Sequence, residues 1–506
     1  MAKEKKKRSF PTAFTVSFIV LILAALLTYV IPAGKYTKLA YDAESKNLSI
    51  TNPKGEIEHL EASQETLDKL NIKVDISKFT EGAISKPIAI PDTYEKVESN
   101  TQGIYDILAS PIKGVYESID IIMFVFILGG IIGVINHSGA FDAGMGSLSR
   151  ATKGKEIVLI IVVSAAIALG GTTFGLAEET IAFYPILMPI FLLAGYDAIV
   201  CIAAIYLGSA LGTMFSTVNP FCTVIGSNAA GINFTEGLTW RIIGLIVSMA
   251  VCIIYIIKYA KKVQKDASAS IIYEDKKHID NKFLSNYDKD NIPKFTFRKK
   301  AMLTILLIGF IIMIWGVSSQ EWSFEQMTAL FLFIALVIAF ISGMGEKVFV
   351  NKFVEGAADL TGVALIIGVA RGVNIIMDNG LISDSILYYS SNLVNGMNSI
   401  VFIIVMMLIF LVLGFFIPSA SGLATLAMPI MAPLADTVGL SRDVIVSSYA
   451  YGQGLMSFIT PTGLILATLE MVDVTYDKWL KFVMPLMGLI GGLSIIMLIL
   501  QAFIPL

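Results

Sequence analysis

The chain has 506 residues, of which 55% are apolar and only 15% charged, with a formal net charge of −3 and a mean hydropathy of +0.75. Soluble domains are roughly a quarter charged, so an ordinary soluble or disordered protein is excluded, and no basic stretch is large enough to track nucleic-acid phosphates. Cys201, Cys222 and Cys252 all fall in apolar runs and there are only three histidines (His59, His137, His278), which leaves no disulfide framework or zinc cluster.

The first apolar run, Phe14–Ile31, follows a basic head, Lys3-Glu4-Lys5-Lys6-Lys7-Arg8. It is long for a signal-peptide core, and Pro32-Ala33-Gly34-Lys35 is a poor cleavage site, so residues 1–33 read as a cytoplasmic head and a first transmembrane helix. Residues 34–118 are polar and alternate short apolar groups with charges, as in Asn71-Ile72-Lys73-Val74-Asp75-Ile76. They predict a small extracytoplasmic cap with strands, acting as a lid or shield. Further spans centre on Ile121–Ile135, Ala198–Phe215, Leu238–Ile257, Met302–Val317, Met327–Ile341, Val363–Met377, Asp443–Ile459 and Phe482–Ile504.

Two other apolar stretches, Ile157–Leu193 and Ile400–Leu434, are interrupted by Gly170-Gly171-Thr172-Thr173-Phe174-Gly175 and by Pro418-Ser419-Ala420-Ser421-Gly422. Arms of about 15 residues are too short to cross upright. They predict re-entrant hairpins over 156–194 and 399–435, whose non-helical tips must be buried or line water. Two spans carry a mid-membrane proline and read as broken helices, 198–231 and 443–472. Lys258–Lys262 and Arg298–Lys300 fall in a cytoplasmic loop, 259–300, with Arg150, Lys153, Lys155, Lys347 and Lys352 on the same side. The short loop Ser318–Glu325 has no Lys or Arg. The positive-inside rule then puts the N-terminus in the cytoplasm and the C-terminus outside, in the cell membrane.

The strongest signal is an internal duplication at an offset of about 242 residues. Pro111–Gly114 matches Phe353–Gly356, His137–Ala140 matches Asp378–Leu381, Tyr184–Ile190 echoes Ala427–Pro433, Gly195–Ile199 matches Gly439–Asp443, Gly208 matches Gly452, and Ser216–Phe221 matches Phe458–Gly463. The halves, 119–258 and 347–506, run in opposite directions through the membrane and are joined by linking helices at 301–346. Inverted repeats with interrupted helices are the pattern of a secondary transporter, with its site at the repeat interface. The fold class expected is an all-α polytopic membrane protein with two re-entrant hairpins, two broken helices and a small cap.

Four polar elements lie at membrane depth: the tips 170–180 and 418–425 and the breaks 217–221 and 460–463. Proline frees backbone carbonyls, which can coordinate a cation, and half-helix N-termini can face an anion. Thr172, Thr173, Thr217, Asn219, Ser419, Ser421, Thr460 and Thr462 add neutral ligands, with Na⁺ placed near Asn219 and Thr460. The plainer reading is that these hydroxyls re-satisfy broken backbone. Glu178 and Glu179 sit at the first tip, where each charge costs at least about 2.5–3.5 kcal/mol unless compensated. They read as a site for an ammonium, guanidinium, Na⁺ or proton, or as a pair for Arg371, or as groups at an aqueous edge. Arg371, Asn374 and Asp378 share one helical face, expected to turn inward. Arg371 either grips a substrate carboxylate or neutralises a tip glutamate. Asp378 and His137 read as interfacial groups, and Asp359 and Arg241 as snorkelling ones.

The stretches Gly175–Pro185, Thr217–Phe221 and Ile417–Ala424 closely resemble the YfcC-like carriers. That group is related to the anaerobic four-carbon dicarboxylate carriers and the arginine/ornithine antiporter-like group of the ion transporter superfamily. The resemblance runs from Phe14 to Leu506. It implies a homodimer, a scaffold and a moving transport domain working as an elevator, and interfacial arm helices near Asp106–Ser118 and Lys347–Asp359. It also implies a small-molecule substrate, either a basic amino acid exchanged as arginine for ornithine or a four-carbon dicarboxylate. No resident cofactor is expected; Na⁺ coupling, H⁺ coupling and obligatory exchange are all compatible with these residues. Two adjacent carboxylates against one deep arginine favour the basic amino acid. A channel using the hairpins as a filter is the competing class. An enzyme is disfavoured, because no nucleophile elbow, zinc motif or phosphate loop occurs.

Overall fold

A computed structural model describes residues 11–504 except 83, 85, 153, 285–293, 321 and 395, and gives the backbone alone at 148–152 and 318. The basic head, Lys153 and the Arg150 side chain, all used above for orientation, lie outside the described residues. Among the described residues, nine helices are long and apolar enough to cross a membrane: Ala13–Val30, Ile119–His137, Glu156–Thr173, Leu238–Lys265, Phe297–Val317, Phe324–Ser342, Thr361–Asn379, Ser399–Phe416 and Tyr476–Phe503.

Two of these correct the expectation for the hairpin arms. Glu156–Thr173 and Ser399–Phe416 have 18 residues each, long enough to cross. The reason is local. Gly170–Thr173 stay helical, and Thr173 Oγ1 donates back to Leu169 O at 2.6 Å. The chain leaves the helix only after Thr173, where Phe174, Gly175 and Leu176 all donate to Gly170 O. Gly175 takes φ +79° there, and a Cβ would strike the Phe221 ring at 2.7 Å, so glycine is required twice over. A 3₁₀ turn, Glu178–Phe183, then leads into Tyr184–Leu193. In the second half the chain breaks at Ile417–Ser419 and resumes as Ala420–Thr437, with Ser419 Oγ capping Gly422 N.

The two proline-bearing spans are broken as expected. Ala198–Met214 contains a π-turn at Ala203–Leu207, stops before Asn219, and restarts at Pro220–Val224 and Ile225–Ala230. Arg442–Ser457 stops before Thr460 and restarts as Ile465–Met471. The start of the first is fastened by Asp197, a buried carboxylate that accepts from Val200 N, Tyr259 Oη (2.6 Å) and Ser270 Oγ (2.5 Å).

Helices occupy both arm positions, Ile104–Glu117 and Glu346–Ala358. They pack crosswise: the first lies on Thr361–Asn379 and the second on Ile119–His137. Both crossings depend on glycine. A Cβ on Gly114 would sit 2.1 Å from Gly368 O, and one on Gly356 would sit 2.3 Å from Gly129 O. Gly208 and Gly452, matched in the repeat, are equally alike. A Cβ on Gly208 would come within 2.9 Å of Ser164 O in Glu156–Thr173, and one on Gly452 within 2.3 Å of Met407 O in Ser399–Phe416.

Apolar burial is divided. One core joins Glu156–Thr173, Ser399–Phe416, both broken helices and Tyr476–Phe503. Another joins Ile119–His137 with Phe297–Gln320 and Phe324–Ser342. The segment after the first helix has its own core, including Leu39, Leu48, Leu67, Phe79 and Ile88. Its four-stranded antiparallel sheet runs Ile57–Glu61, Asn47–Thr51, Lys38–Asp42, Ile88–Ala89. Asn71–Ile76, whose alternation pointed to a strand, is a loop with Ile72 and Val74 buried.

Candidate functional site

The predicted polar elements gather into two clusters, one in each half. In the first, Thr217 N donates to Thr172 Oγ1 (2.9 Å), Thr217 Oγ1 to Thr172 O (3.2 Å) and Val218 N to Thr172 O (3.2 Å). Asn219 spans tip and break: Nδ2 donates to Gly171 O (2.7 Å) and Oδ1 accepts from Phe221 N (2.8 Å). Thr172 and Asn219 are buried, whereas Thr173 is exposed and bonds only its own helix. Ser216 and Thr223 bond each other across the same break at 2.7 Å, a pair the sequence reading missed.

In the second cluster, Thr460 Oγ1 and Thr462 Oγ1 lie 2.7 Å apart, and Thr462 Oγ1 donates to Phe415 O at 3.2 Å. Gln453 Nε2 donates to Pro418 O (3.1 Å) and Tyr449 Oη to Ala420 O (2.7 Å). Neither was singled out from sequence. The halves meet through the broken helices: Gly454 lies against Met214, and Tyr206 Oη donates to Ser457 O at 2.6 Å. The hydroxyls of Thr172, Thr217 and Thr462 thus bond backbone, whereas Ser421 Oγ accepts from the Lys86 side chain at 2.8 Å.

Glu178 and Glu179 are half-buried at the first tip, and Glu179 Oε2 accepts from Ala177 N at 3.1 Å. Their turn packs on Ile119–His137 and on Ile465–Met471. Arg371 is not their partner. Its Nε donates to Glu117 Oε2 at 2.9 Å, both groups being more than 40% exposed. Arg371 and Asp378 therefore do not turn inward; only Asn374 is half-buried, with Oδ1 enclosed and lacking a hydrogen-bond partner. The arm helix lies over this face and draws the guanidinium to itself. Arg241 does not snorkel either. It is fully buried, with its guanidinium donating to Glu236 O at 2.9 Å and to Phe234 O.

A cavity of about 410 Å³ lies between the span Ile119–His137 and the helix that follows the first tip. Its polar lining is Asn136, Asp142, Asp359 and Lys282, and Pro185 and Pro189 form the tip-side wall. Burial raises the pKa of both aspartates, offset by Lys299 at Asp142 and by Lys282 at Asp359. Lys282 also pairs with Asp473 (2.9 Å), which His278 approaches at 3.2 Å, so the loop before the fifth span is clamped to the end of the second broken helix.

The match to known families covers this whole architecture. Residues 10–503 match the family described as DcuC, C4-dicarboxylate anaerobic carrier. The chain belongs to that family. It is a multi-pass membrane transporter of the DcuC type, with a YfcC-like relative. The putative basic amino acid antiporter YfcC of Escherichia coli is 29% identical over 98% of this chain and 97% of its own. An uncharacterized protein of Haemophilus influenzae is 50% identical over 99% of this chain and 98% of its own. Neisseria gonorrhoeae MtrF aligns over 98% of this chain and 96% of its own, with a TM-score of 0.39 and 16% identity. The Alcanivorax borkumensis YdaH transporter aligns over 97% and 98%, with a TM-score of 0.37 and 14% identity.

Proposed function

We propose that this DcuC-family carrier exchanges basic amino acids, arginine for ornithine, across the cell membrane by an elevator movement. The observation that carries the substrate class is the excess of carboxylates around the first tip. Glu178 and Glu179 stand at the tip, and Asp142 and Asp359 face the adjoining cavity against a single lysine. A cavity of about 410 Å³ is in the range that holds a small organic solute. Glu178 and Glu179 take the side-chain cation, while the α-carboxylate takes donors at the second tip, Ser419 and Ser421. The YfcC relationship supports the same class.

The elevator reading is supported by the separate cores, the first of which contains both hairpin arms and both broken helices. In it the first core moves against the second, the sheet-bearing segment is an extracytoplasmic cap, and the chain works as a homodimer. The family description favours a second reading, a four-carbon dicarboxylate carrier, for which Arg371 would have to leave Glu117.

The deciding experiment loads proteoliposomes with ornithine, succinate or buffer and follows labelled arginine. Uptake driven only by internal ornithine is expected. Succinate or fumarate exchange with no arginine uptake would refute the amino acid reading. Unsaturable conductance without counterflow would favour a channel.

A further inference from the structure

The cap sends one cation to the second tip. Lys86 Nζ donates to Ser421 Oγ at 2.8 Å, across 335 residues of sequence. Lys86 is held there by the strand Ile88–Ala89, which pairs with Lys38–Asp42 and packs on the helix Ala420–Thr437. Ile88, Ala89 and Ile90 are buried, so the strand is a firm base, whereas Lys86 itself is exposed to water. The cap is also moored beside the tip. Tyr36 N donates to Asp384 Oδ2 at 3.0 Å, and the Tyr94 ring stacks on Tyr388 at 4.1 Å. Arg371 stands near Lys86, but Arg371 is committed to Glu117. Among the described residues Lys86 has no carboxylate partner in a salt bridge.

We propose that Lys86 is a specificity-determining residue that binds the carboxylate of the transported solute at the second tip, on the face of the membrane where the cap lies. The chemistry fits. An ammonium has three donors; one is spent on Ser421, leaving two for a carboxylate arriving from water. Ser421 orients the amine and Arg371 adds positive potential. Partial desolvation and the Arg371 charge hold the lysine pKa below its usual value, and an incoming carboxylate would raise it again. The inference rests on the carrier reading but not on which solute is carried, because arginine and a dicarboxylate both bring a carboxylate.

The test is transport kinetics measured separately from each face of reconstituted vesicles, with the cap face identified by impermeant maleimide labelling of a Lys54→Cys variant. Lys86→Met should raise the arginine KM on the cap face about tenfold, the worth of one charge-assisted hydrogen bond, and leave kcat and the opposite-face KM within about twofold. Lys86→Arg should restore most of the affinity. Discrimination between arginine and agmatine, its decarboxylated analogue, should collapse in Lys86→Met alone. An unchanged cap-face KM would overturn the proposal. So would a kcat change with KM constant, which is the signature of a mechanical latch. If the wild type carries succinate and not arginine, the amino acid reading fails separately. The same comparison of succinate KM in Lys86→Met then decides the role of Lys86.

Discussion

Glu178 and Glu179 differ in their ties: Glu179 reaches back to accept from Ala177 N, whereas Glu178 bonds its own backbone amide. Glu178→Gln should therefore weaken a cationic substrate without loss of fold, raising KM at least about tenfold. Glu179→Gln should also lower thermal stability, because the Ala177 amide loses a charged acceptor. Substrate-binding titrations and melting curves on both variants check this, and unchanged affinity in both would remove the carboxylates from the site. Asn219 sits at the opposite extreme, with both ends of its amide used. Asn219→Ala leaves Gly171 O and Phe221 N without their partners, at about 1–3 kcal/mol for a buried polar group left unsatisfied. A lower melting temperature together with a fall in transport is expected. Ser421→Ala, by contrast, should leave stability close to wild type.

At the scale of elements, the crosswise arms make the sharpest prediction. A side chain on Gly114 or Gly356 would drive a Cβ into a backbone carbonyl, at 2.1 or 2.3 Å. Close-packed interiors cannot absorb this without backbone movement, and overpacking costs about 1–3 kcal/mol. Gly114→Val and Gly356→Val should each lower the melting temperature of purified protein. Gly488→Val, where a Cβ would meet nothing within 4 Å, should not. Equal melting temperatures in all three would show that the arms pack more loosely than described. The duplication made this pairing visible in sequence, since Pro111–Gly114 and Phe353–Gly356 align. That each arm lies on the span of the other half was not visible, because apolar text does not encode which helix is the neighbour.

For the whole molecule, the elevator reading requires the first core to move against the second. Phe183, at the first tip, meets Phe310 of the fifth span with ring centroids 5.0 Å apart. A short bifunctional crosslink between cysteines at 183 and 310 should stop transport, and cleaving it should restore transport. Full activity in fully crosslinked protein would rule the elevator out. Cys201, Cys222 and Cys252 are buried and reduced, so they offer little background for this chemistry.

Sequence alone determined the membrane class, most of the spans and the positions of both breaks. Each depends on local physics: apolar length against hydrocarbon thickness, and proline or glycine against helix continuity. Only the tertiary structure decided what the Gly170–Thr173 run packs against, the first broken helix, where a Cβ on Gly171 would meet Ser209 O at 2.6 Å. Only it decided that Arg371 turns to Glu117, since the arm that supplies Glu117 is 254 residues away in sequence. Lys86 is the clearest case. In sequence it is one of many charges in a polar segment, and nothing local distinguishes it. Its meaning depends on a strand docked against the second tip, and such long-range placement is a property of packing, which no periodicity or spacing records.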